Sequence, residues 1–99
     1  MTSSVDQRQA AAAKIAELLE VLKAHPHPST APAIEESEAL ARAIAAFHME
    51  GIRFRIFNVD RVISQAGANA PANAARLIEE ARHHLEAAGF HTRSHQAPG

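Results

Sequence analysis

Seven histidines in a 99-residue chain, several within one helical turn of a carboxylate, are the residues best equipped for chemistry. In Glu79-Glu80-Ala81-Arg82-His83-His84, Glu80 stands three residues before His83 and four before His84. Carboxylate-bridged metal sites in helical bundles use that spacing, because residues three and four apart share a helix face. Glu80, His83 and His84 are therefore metal-ligand candidates, and a divalent transition metal is the cofactor they would take. Such a site needs further carboxylates from a facing helix or a second chain. Without them the segment is a solvated helix face of glutamate–histidine and glutamate–arginine pairs, the reading we favour.

A second constellation is His48-Met49-Glu50-Gly51-Ile52-Arg53, followed by Arg55. His48, Glu50, Arg53 and Arg55 could hold a small anion, with an arginine as anchor. Gly51 supports that idea, since a glycine kept inside a helical pattern often marks close approach of a backbone or ligand. The plainer alternative is a surface Glu50–Arg53 pair beside a helix contact. The histidine pairs His25/His27 and His91/His95 suit only opportunistic metal capture.

Other chemistries are poorly supplied. With no cysteine there are no disulfides, thiolate zinc sites or thiol nucleophiles. Serines occupy capping or loop positions without a nucleophile elbow, and there is no phosphate-binding glycine loop and no HExxH. A formal net charge of −1 argues against a dedicated nucleic-acid binder. No apolar run is long enough to span a bilayer, and no signal peptide is visible, so a cytoplasmic location is the expectation.

The elements that must position these residues are helices. Ser4-Val5-Asp6-Gln7 has the form of a capping box, and Ala11, Ala12, Ile15, Leu18, Leu19 and Leu22 recur at helical spacing. This predicts a helix over about 5–24, stopped by His25-Pro26-His27-Pro28 and a proline-rich loop over 25–30. Thr30-Ala31-Pro32-Ala33 opens the next helix, with Thr30 as cap. Asn69-Ala70-Pro71-Ala72 repeats that signal for a helix over about 70–88, whose stripe is Ala74, Leu77, Ile78, Ala81, Leu85 and Ala88. Gly89 and Phe90 suit a Schellman ending, and residues 90–99 read as a mobile polar tail.

The middle of the chain supports two patterns. Gly51-Ile52-Arg53-Phe54-Arg55-Ile56-Phe57 alternates like a strand. Ile52, Ile56, Val59 and Ile63 also follow helical spacing, while Leu40, Ile44, Phe47 and Phe54 mark a different face. The helix is preferred, because short strands near 52–58 and 90–95 alone would make a marginal two-stranded sheet in an α+β fold. The expected architecture is all-α: three helices over about 5–24, 31–66 and 70–88 in one antiparallel domain.

A long middle helix apolar on two sides needs cover from both. Half of the chain's hydrophobic residues are alanine, which limits the volume of a monomer core. The expected function is therefore an oligomerisation or protein-interaction module without catalytic machinery. It would act as a homodimer or bind a partner helix, with Ile52, Phe54, Ile56, Val59 and Ile63 as contact residues. A metal- or ligand-binding bundle is the alternative.

Overall fold

Residues 3–90 and residue 92 are described by the computed structural model. Four α-helices, α1 (Ser4–Ala24), α2 (Ala31–Ala45), α3 (Met49–Ala66) and α4 (Ala74–Ala87), run in order, with a short 3-10 turn (Gly67–Asn69) before the last. No strand occurs among the described residues. The alternation over 52–58 is therefore helical, with the isoleucines inside and the intervening residues at the edges or outside. The second half of the strand alternative, 90–95, lies mostly outside the described residues.

The first helix has the expected extent, but its cap is one residue earlier. Ser3, in extended backbone, accepts from the Asp6 amide at 3.1 Å, and Asp6 reaches back to the Ser3 amide at 3.5 Å. Asp6 closes the box better than Gln7 because its carboxylate also complements the helix dipole. Ala11, Ile15, Leu18 and Leu22 are wholly buried along the inner stripe. Thr30 does not cap α2. Its backbone is already helical, and its hydroxyl donates to the His27 carbonyl at 3.1 Å, closing the proline-rich loop instead.

The expected 31–66 helix is two helices. α2 stops at Ala45, and the chain turns through Phe47, whose φ of 59° is the one positive value at a non-glycine among the described residues. The His48 amide donates to the Ala43 carbonyl at 2.9 Å and the Phe47 amide to the Ile44 carbonyl at 3.2 Å. This is a Schellman ending with phenylalanine in the left-handed position that glycine normally takes. α4 ends the same way with the expected residues: Gly89 has φ of 101°, and the Phe90 amide donates to the Leu85 carbonyl. The opening of α4 was expected near Ala70, yet the helix begins at Ala74. The 3-10 turn and the Pro71-Ala72-Asn73 turn occupy the intervening residues.

Each helix packs against two others, closing a ring α1–α2–α3–α4–α1, with no close backbone approach across either diagonal among the described residues. The Cα envelope is 37 × 31 × 20 Å, its short axis matching two helix layers. The radius of gyration of 12.7 Å is that of a folded chain of this length, about 13 Å. Every junction in the ring carries a polar tie. Lys14–Glu80 (3.2 Å) and Gln7–His84 (2.7 Å) join α1 to α4, and Lys23–Glu38 (3.4 Å) joins α1 to α2. Arg55–Glu36 (3.0 Å) joins α3 to α2, and Arg82–Asp60 (3.3 Å) joins α4 to α3.

Candidate functional site

The break at Phe47 decides where the candidate residues lie. It folds the two apolar stripes of the middle segment onto the rest of the bundle. Leu40 and Ile44 of α2, and Ile52, Ile56, Val59 and Ile63 of α3, are all at most 5% exposed within the single chain. The four α3 residues expected at an interface therefore need no partner to cover them. Of the expected contact residues, Phe54 alone stays on the surface, 45% exposed.

The His48 to Arg55 group does not form an anion pocket. His48 is the N-cap of α3, and its Nδ1 accepts from the Gly51 amide at 2.7 Å. A Cβ on Gly51 would lie 2.6 Å from that nitrogen and 3.3 Å from the Ala43 Cβ, so the glycine serves the cap and the α2–α3 approach. Glu50 lies 3.7 Å from Arg53. Arg55 turns the other way, onto Glu36, which also accepts from Asn58 at 3.2 Å. The two guanidinium groups diverge, each already facing a carboxylate.

The Glu80, His83 and His84 group lines an open depression of about 320 Å³ together with Arg76 and Glu79. Glu80 is held between Lys14 and Arg76, at 3.2 and 3.1 Å. The hydrogen bond from Lys14 keeps the Glu80 carboxyl below the usual glutamate range and raises the Lys14 ammonium above its own. His84 Nδ1 lies 2.7 Å from the Gln7 side-chain oxygen. Among the described residues no three His, Asp or Glu side chains converge to hold a metal ion. Of the expected metal set, Glu80 and His84 thus tie α4 to α1 through Lys14 and Gln7, while His83 lines the depression. In the loop, His27 Nδ1 contacts the Ser29 amide and hydroxyl at 3.0 and 2.7 Å. His91 and His95 lie outside the described residues.

Two features escaped the sequence reading. Arg82 is 6% exposed rather than part of a solvated face. Its Nη2 meets Asp60, its Nη1 donates to the Thr92 carbonyl at 3.3 Å, and Glu79 lies 3.2 Å from Nε without hydrogen-bond alignment. With Phe90 and Thr92 each 3% exposed, the start of the expected mobile tail is held against the bundle; the remainder lies outside the described residues. The available signal was position, since Arg82 falls four after Ile78 and three before Leu85, on the apolar stripe.

The second is the outer face of α3. Glu50, Phe54, Phe57 and Arg61, spaced four, three and four apart, are all exposed, Phe57 by 41%. At about 100° per residue they fall within roughly 60° of arc, opposite Ile52, Ile56, Val59 and Ile63. Phe54 and Phe57 are half-exposed large apolar side chains on the face remote from the core. The Arg55 guanidinium lies 5.1 Å from the Phe54 ring centroid and borders the stripe on its α2 side. No helix is long and apolar enough to cross a membrane among the described residues. No family model, curated protein or solved structure matches this chain, so its function rests on these surfaces and their chemistry.

Proposed function

We propose that this chain is a helical protein-interaction module that presents the outer face of α3 to another helical surface. The observation that carries this reading is the pair Phe54 and Phe57, 45% and 41% exposed, side by side on the helix face opposite the core. Rings at positions three apart make one continuous apolar patch. Aromatic anchors with polar neighbours are what interface centres use, since a ring contributes large area at small conformational cost. Glu50 and Arg61 supply the polar rim along the helix. The histidine and carboxylate groups support the alternative bundle chemistry less well, because Glu80 is already held between Lys14 and Arg76.

Photo-crosslinking in cells tests the reading. A benzophenone side chain replacing Phe54 or Phe57 should give discrete adducts, whose identity mass spectrometry establishes. The same group at Gln9 or Ala13, both exposed on α1, should not. Equal yields at all four positions, or none, would refute an α3 interface.

A further inference from the structure

We infer that the partner is a second copy of this chain, docked α3 against α3 with the two helices antiparallel about a twofold axis. The inference rests on the reading of the α3 face as an interaction surface, and adds the occupant and its register. A twofold interface uses the same patch on both subunits, so a residue that meets another must be met by it in return. A helix stripe can satisfy this only if it is complementary to its own reversal. Glu50-Phe54-Phe57-Arg61 has that property. Its midpoint lies between Arg55 and Ile56, the phenylalanines flank it symmetrically, and each outer residue lies four beyond a ring. Opposite charges end the stripe. With the axis at that midpoint, Phe54 meets the partner's Phe57, and Glu50 meets the partner's Arg61, each pair occurring twice. A parallel arrangement would set Glu50 against Glu50 and Arg61 against Arg61, so charge selects the antiparallel register.

The side chains are placed to do this. Glu50 is 78% exposed, and its contact to Arg53 is 3.7 Å, leaving carboxylate oxygen available to a second cation. Arg61 is exposed on the same face. The size of the contact bounds its strength. α3 has 18 residues, a length of about 27 Å at about 1.5 Å per residue. One face of it against its copy buries less than about 1,200 Å², the range of weak and transient interfaces. Exposed ion pairs at the rim fix register and orientation more than affinity.

Sedimentation equilibrium of the full chain, over roughly one to several hundred micromolar to suit an interface of that size, is the test. The wild type should show a reversible monomer–dimer equilibrium that Phe57→Ser abolishes. Glu50→Arg and Arg61→Glu should each weaken it roughly tenfold, because each reverses two symmetry-related pairs. An equimolar mixture of these two variants should form a 1:1 heterodimer of wild-type affinity, since every cross-chain pair is then of opposite sign. Both changes in one chain should restore the homodimer, and circular dichroism checks that each variant keeps its helices. A dimer indifferent to the charge reversals overturns the register. A chain that stays monomeric overturns the second copy. In that case α3-specific cross-links to another protein leave the interaction module standing, and cross-links to residues 93–99 of the same chain show that the face is covered from within. A monomer without α3-specific cross-links removes both readings.

Discussion

Replacing Phe47 by glycine and by alanine gives the sharpest test of the turn that separates α2 from α3. Both substitutions delete the ring, and with it the 5.2 Å pair with Phe90 and the contact with Arg8, whose guanidinium lies 4.7 Å from the ring centroid. Those contacts contribute about 0.5–1.5 and 0.5–1 kcal/mol respectively. Arg8 keeps its hydrogen bond to the Ile44 carbonyl in either variant. The two variants then differ only by a Cβ at a backbone φ of 59°. A Cβ there costs about 1–2 kcal/mol, and the greater freedom of glycine in the unfolded chain returns about 0.4–1 kcal/mol of that. Phe47→Gly should therefore be more stable than Phe47→Ala by about 1 kcal/mol. In an uninterrupted helix the order reverses, alanine being favoured by about 0.8–1 kcal/mol. Urea denaturation followed at 222 nm resolves the sign. A shift of 1 kcal/mol also corresponds to roughly 4–8 °C in melting temperature for a domain of this size. If Phe47→Ala is instead the more stable by about 0.8–1 kcal/mol, the chain runs straight through residue 47, and the four-helix ring cannot form as described.

Three further outcomes are expected. Gly51→Ala should destabilise by about 1–3 kcal/mol through overpacking despite better helix propensity, because its methyl displaces the His48 ring from its cap. In a His48→Ala background, itself weakened by about 1 kcal/mol through loss of the cap, most of that penalty should vanish; additive penalties in a double-mutant cycle would contradict the geometry. Arg82→Met should lower stability by about 1.5–3 kcal/mol, the worth of charged hydrogen bonds, and Arg82→Lys should recover little, since one ammonium cannot span Asp60, Glu79 and the Thr92 carbonyl. The Lys14–Glu80 staple sets a pH window. The lowered Glu80 carboxyl stabilises the fold above the ordinary glutamate value of about 4.3 and loses that contribution as pH falls through its folded value. The raised Lys14 contributes below about 10.4 and loses its share as pH rises through its folded value. The melting-temperature difference between wild type and Glu80→Gln should be flat from about pH 5 to 9 and close at acid pH; a difference that persists there would show that the staple is not ionic.

What the sequence made legible follows the strength of its local signals. α1 and α4 combine regular apolar stripes with strong helix formers, and their buried apolar residues are those the spacing picks out. The Gly89–Phe90 ending is legible because glycine announces positive φ. The corresponding ending at Phe47 is hidden, since a phenylalanine there carries no such signal and the helical periodicity continues on both sides. Tertiary contacts to Phe90 and Arg8 hold it in place, and these lie far along the chain. The start of α4 misled for the opposite reason. Asn69-Ala70-Pro71-Ala72 resembles the opening of α2, but Gly67 begins a 3-10 turn that places Pro71 outside the helix. Charge engagement is the least legible property. Glu80 has the spacing of a metal ligand, and only the packing of α1 against α4 brings Lys14 to it.

The turn at Phe47 also changes what a two-faced helix implies. A straight helix over 31–66 would have to find cover for both stripes, and a second chain would then complete the core. By folding back between α2 and α3, the chain brings Leu40, Ile44, Ile52, Ile56, Val59 and Ile63 inside by itself. What stays half-exposed on α3 is then two rings, Phe54 and Phe57, rather than a whole stripe of aliphatic residues. That reduction separates folding from association. Phe54→Ser and Phe57→Ser remove side chains that already reach solvent, so each should cost the monomer far less than a core truncation such as Ile56→Ala, about 2–5 kcal/mol. If either costs as much as Ile56→Ala, the α3 face belongs to the core, and an interaction role for it loses its basis.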